Sequence, residues 1–117
     1  MKTLRLVQLL SIAVLSAPTF GLAADAEAGL AVVRTLGTVN GQALACSETG
    51  VAARARQLML AHAPKTPRFG AAYEEATNEA FNAQTRGGKT CPNATELTAQ
   101  INRLALQLAD TLPVAAK

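Results

Sequence analysis

The sequence has no tryptophan, one tyrosine, three phenylalanines and one histidine among 117 residues, with aromatics at 3%. Together with few β-branched residues, this scarcity favours helix over sheet. A single imidazole supports no visible Ser-His-Asp or Cys-His constellation. With only two cysteines beside it, His62 is also too little for a thiolate metal site. No C-x-x-C redox motif and no C-x-x-C-H haem attachment occurs, so both cofactor classes are excluded at motif level. No apolar run approaches the ~20 residues that a bilayer crossing needs. The length is too short for two domains or a doubly wound α/β enzyme and ample for one small domain.

What the chain does have is alanine, 25 residues of it, and an N-terminus built for export. Lys2 and Arg5 precede the apolar stretch Leu6 to Ala17, and Pro18 and Gly21 then lead into small residues. That order is the anatomy of a secretory signal peptide over 1–23, with cleavage expected after Ala23 or, as second choice, after Ala26. The Ala43-Leu44-Ala45-Cys46 run lacks the preceding apolar stretch of a lipoprotein signal. Removing 1–23 takes Lys2 and Arg5 with it, so 9 basic face 8 acidic residues and the +3 of the whole chain falls to +1. The basic excess therefore belongs partly to export and carries no expectation of a nucleic-acid or anionic-membrane partner.

The remaining segment, 24–117, is expected to form a single all-α domain, a bundle of three to four antiparallel helices in a bacterial periplasm or outside the cell. An even pair of cysteines in an oxidising compartment predicts a disulfide between Cys46 and Cys91. Closing a loop of that length is worth about 4 kcal/mol in the chain-entropy model.

Four helical segments are separated by breakers. Leu30, Val33 and Leu36 repeat at helical spacing up to Gly37. Val39 to Cys46 either continues that helix across Gly41 or forms a turn with a fresh helical turn behind it. Ser47 or Thr49 caps a second helix ending near Ala63, with Val51, Ala55, Leu58, Met59 and His62 on its apolar side and Arg54, Arg56 and Gln57 facing water. Thr66 as N-cap and Pro67 at the first position open a third, in which Phe69, Tyr73, Ala76, Ala80 and Ala83 mark the inner face until Gly87 and Gly88 end it. Asn93, with Glu96 three residues on, opens the last helix, whose stripe Leu97, Ile101, Leu104, Leu108, Leu112 is the cleanest in the chain before Pro113.

Several motifs mimic chemistry. Ala83 to Thr90 (AQTRGGKT) fits a relaxed phosphate loop, but a helix precedes it and Cys91-Pro92 follows, so a helix end and exposed turn are expected. Asn93-Ala94-Thr95 fits a glycosylation sequon, which N-capping already explains. His62 sits where a helix C-terminus favours it. Phe69, Tyr73 and Phe81 fall on one helix, with Glu75 and Glu79 spaced i, i+4 nearby. These five make the candidate partner surface, with core packing the plain explanation for the aromatics and a solvated face that for the carboxylates.

The signal peptide, the cysteines 45 positions apart and the flanking helices resemble small exported bacterial two-cysteine helical proteins. Periplasmic acid-stress chaperones and immunity proteins of secreted cell-wall amidases are of this kind. The chain departs from the chaperones in lacking an acidic excess. The expectation is an exported, non-enzymatic protein that binds another protein as chaperone, inhibitor or accessory, with no cofactor, no nucleic acid and no membrane contact after cleavage. The alternative is a small-ligand or metal carrier using the aromatic face, or His62 with Glu75 and Glu79.

Overall fold

The computed structural model describes the backbone of residues 20–114 and the side chains of residues 26–114. The expected signal peptide lies outside the described residues up to position 19; both cleavage points, Ala23 and Ala26, fall in the first two turns of the first helix. Among described side chains burial begins only at Gly29 and Leu30, so both cuts fall ahead of the described core.

The chain forms four helices, α1 (Phe20–Ala45), α2 (Thr49–His62), α3 (Pro67–Arg86) and α4 (Ala94–Thr111), with no strand among the described residues. They run up, down, up, down, so sequential helices are antiparallel and α1 is parallel to α3. α1 packs against all three others and α2 also packs against α4, whereas α3 packs on α1 alone. The core is Leu30, Val33, Leu36, Val39 and Ala43 of α1, Val51, Ala52, Ala55 and Leu58 of α2, Phe69 and Ala72 of α3, and Leu97, Ile101, Leu104 and Leu108 of α4. Each α4 stripe residue up to Leu108 is buried as its spacing predicts, and Leu112 packs against the cluster from the edge.

Gly37 does not end the first helix. α1 runs unbroken through Gly37 and Gly41, which settles the open choice around Asn40-Gly41 in favour of helix. Both glycines face α3. A Cβ on Gly37 would sit 2.6 Å from the Tyr73 carbonyl oxygen and 2.9 Å from the Ala76 Cβ. One on Gly41 would meet the Thr77 carbonyl oxygen and lie 2.8 Å from the Ala80 Cβ and 2.9 Å from the Phe81 nitrogen. Glycine at i, i+4 opposite alanine at i, i+4 lets two backbones approach where larger residues would hold them apart. The tertiary gain offsets the roughly 1 kcal/mol helix penalty of each glycine. Asn40, buried in the same seam, donates from Nδ2 to the Thr77 Oγ1 at 3.2 Å, and that hydroxyl donates to the Tyr73 carbonyl at 2.8 Å.

The helix ends differ from expectation in instructive ways. α1 closes with Ser47 at φ 60, while the Ser47 N–H reaches the Leu44 carbonyl at 3.4 Å and the Glu48 N–H the Ala43 carbonyl at 2.8 Å. This is a Schellman cap with serine in the left-handed position usual for glycine. Ser47 is thereby spent on ending α1. Neither it nor Thr49 caps α2, whose N-cap is Glu48 without a side-chain bond. Thr66 occupies the N-cap of α3 with Pro67 behind it, as predicted, but its hydroxyl makes no capping bond. Asn93 does cap α4, its Oδ1 accepting from the Glu96 N–H at 2.8 Å.

Cys46 and Cys91 form the expected disulfide, with Cα atoms 5.8 Å apart. It joins the end of α1 to the segment entering α4, so the closed loop encloses α2 and α3. At the opposite pole His62 Nδ1 lies 2.7 Å from the Leu112 carbonyl oxygen. A carbonyl only accepts, so Nδ1 carries the proton and the last residue of α2 is tied to the C-cap of α4.

Candidate functional site

The residues marked for a partner surface do not assemble into one. Phe69 is buried in the core, 6% exposed, and Tyr73 packs half-buried against it. Phe81 turns outward at 40% exposure, and Ala83, expected inside, is also exposed, because α3 has only α1 beneath it and one narrow stripe suffices to cover that contact. Glu75 and Glu79 are exposed. Successive positions at 100° place them on the side of α3 turned away from Tyr73 and Phe81.

Among the described residues no three His, Cys, Asp or Glu side chains gather closely enough to hold a metal ion. His62 and the Glu75/Glu79 pair therefore do not converge as a ligand set. Burial raises the Tyr73 phenol above its ordinary value of 10.0, and the Arg56 guanidinium pulls it part of the way back.

The phosphate-loop mimic resolves as a helix end. Gly87 caps α3, Gly88 turns with φ +61, and Gln84 reaches over the turn to donate from Nε2 to the Lys89 carbonyl at 2.8 Å. Gln84 is buried and escaped the sequence reading, which treats glutamine as solvated; its position one turn beyond Ala80 on the inner face was the available signal. No helix starts behind the glycines until Ala94, so no row of N–H groups faces the turn.

A surface the sequence did not single out lies along α2 and α4. Gly50, Val51 and Arg54 of α2 with Thr98, Ile101 and Asn102 of α4 line an open depression of about 240 Å³. A second, of about 410 Å³, adjoins it through Thr98 and Asn102 and is bounded by Ala94, Thr95 and Ala99. Further along the same side of α4 stands Leu106, 70% exposed and the most exposed large apolar side chain among the described residues. The lining carries one charge, Arg54, on small neutral residues. Shallow, open and nearly uncharged, the face suits the side of another helix better than an enclosed small molecule. The signal in the sequence is Leu106 standing opposite Leu97 and Leu108 on the α4 wheel, an apolar residue where the amphipathic pattern calls for a polar one.

No described helix is long and apolar enough to cross a membrane. Comparison with known protein families, with curated proteins and with solved structures finds no match to this chain.

Proposed function

We propose that the chain is an exported, non-enzymatic helical protein of the periplasm or the secreted fraction that acts by binding another protein across the α2–α4 face. The observation that carries this reading is the pair of adjoining depressions beside the exposed Leu106. An apolar anchor next to a neutral shelf is the recognition mode of helix-on-groove contacts. Export is supported by the N-terminal charge and apolar pattern and by a disulfide, which persists in oxidising compartments.

Two measurements test it. Fractionation with intact-mass analysis is expected to recover periplasmic protein beginning at Ala24 or Glu27; an uncleaved, reduced, cytosolic chain overturns the export part. A photo-crosslinker placed at Leu106 in cells is expected to yield adducts with a different protein, whereas one at exposed Arg34 of α1 does not. Equal yields at both positions, or none, overturn the binding face.

A further inference from the structure

The two helices that flank α1 without touching each other carry opposite charge. The charged residues of α2 besides its terminal His62 are Arg54 and Arg56, and it has no acid. Between Arg68 and Arg86, α3 carries Glu74, Glu75 and Glu79 and no base. Intramolecular pairing does not use them, since the one ion pair among the described residues joins Arg68 to Glu27 at the starts of α3 and α1. Yet Arg56 stands on the edge of α2 that turns toward α3, since Leu60, one turn along that edge, lines a shallow depression together with Gly70 of α3, itself one turn before Glu74. Each wall also presents an apolar residue beside its charge. Arg56 and Leu60 share an edge of α2 at i, i+4, and Glu74 and Phe81 share an edge of α3 at i, i+7. All four are exposed, Leu60 at 62% and Phe81 at 40%.

We propose that this channel binds a second copy of the chain in an isologous dimer, Arg56 of each protomer meeting Glu74 of the other. The heights of the charges make the surface self-complementary. At ~1.5 Å per helical residue, Arg56 stands ~10 Å above the α2–α3 link and Glu74 ~12 Å above it. A two-fold axis crossing the channel near that level inverts the partner and lays α2 alongside its α3. Both Arg56–Glu74 pairs then form at once, and Leu60 comes within about one turn of the partner's Phe81. Self-pairing satisfies, with no further molecule, both Arg56 and Glu74 of each protomer.

Sedimentation equilibrium on the oxidised protein tests this. The wild type is expected to dimerise, less tightly as salt rises. Arg56→Glu and Glu74→Arg are each expected to weaken the dimer by roughly tenfold or more, since each sets like charges face to face. Their positions are solvent-exposed, so far-UV circular dichroism is expected to stay at the wild-type value, as is Tm measured at dilutions where the wild type is monomeric. An equimolar mixture of the two variants is expected to restore association as a heterodimer. In one half of it the introduced carboxylate at position 56 meets the introduced guanidinium at position 74, and in the other half Arg56 meets Glu74 as in the wild type. Leu60→Gln is expected to weaken the wild-type dimer without this rescue. A wild type that is monomeric at every concentration, alone or with a different protein in the channel, overturns the proposal. So do folded single variants that still dimerise, or a mixture that stays monomeric.

Discussion

α1 is held on its two sides by opposite means. Toward α2 and α4 it presents Leu36, Val39 and Ala43 to Val51, Leu58, Leu97, Leu104 and Leu108, a core filled by branched side chains that leave almost no exposed surface. Toward α3, beyond the buried Phe69, it presents Gly37 and Gly41, and along that stretch the contact is made by backbone, alanine methyls and one Asn40–Thr77 hydrogen bond. The first side is stabilised by apolar area removed from water, the second by closeness of approach. A methylene removed matters on the first side, and a methyl added matters on the second.

That contrast can be broken by substitution. Leu36→Ala, at a fully buried position, is expected to cost about 3 kcal/mol in urea unfolding of the oxidised protein, through lost transfer energy and the cavity left behind. A loss below about 1 kcal/mol, the scale of a lost surface contact, is incompatible with a side-chain-filled core on that face. Gly41→Ala is expected to cost about 2 kcal/mol despite alanine's better helix propensity, because the methyl meets the α3 backbone. Its damage should be local, with amide exchange quickening in α3 while α4 keeps its protection. Uniform quickening across α4 counts against a separable α3. Gly70→Ala is the control. It lies in the first turn of α3 with nothing within 4 Å of the added Cβ, so alanine is expected to stabilise by up to about 1 kcal/mol. A destabilised Gly70→Ala removes the distinction between glycines that face a helix and glycines that face water.

The smallest effect is on the α3 side. Tyr73 is the only tyrosine, and no tryptophan overlaps its absorbance, so alkaline titration reads it alone. Its burial favours the neutral phenol and holds the folded-state titration above 10.0. The folded chain then keeps a proton that the unfolded chain has lost. The stability tied to that proton is complete below pH 10 and falls as pH rises from there through the raised value. Arg56→Gln is expected to move the midpoint further up, since it removes the charge that opposes burial. A midpoint at or below that of free tyrosine contradicts the packing of Tyr73 against α1.

The same two sides differ in how plainly the sequence announced them. The Leu97-to-Leu108 stripe is periodic within one helix, so spacing alone predicted its burial. Cysteine parity and an export signal were enough to predict the disulfide. Gly37 reads as a breaker and Gly41 leaves helix and turn both open, because their justification lies 36 or more residues away on α3. Only the matched four-residue spacing of Gly37/Gly41 and Ala76/Ala80 hinted at it. Ser47 and Thr49 both offer themselves as N-caps because serine and threonine commonly are, and the left-handed φ of Ser47 at the end of α1 is a conformation that composition does not reveal. The five candidate residues on α3 part for a related reason. Three aromatics on one helix looked like one face, but a helix with a single neighbour buries only a narrow strip, which took Phe69 and left Phe81 outside.

The position of the disulfide has a consequence for α3 that its packing alone does not convey. With only α1 beneath it, α3 would be the easiest helix to displace, yet both of its ends are moored. Four residues tie it to α2 below, and Cys91 ties it to the end of α1 above. Short tethers of this kind hold a segment at an effective concentration in the millimolar range opposite its own groove. A foreign helix offered to the glycine face of α1 competes against that concentration and not against the affinity of α3 alone. Reduction of Cys46–Cys91 lowers it by lengthening one tether, and the oxidised chain is therefore the form in which that seam stays its own.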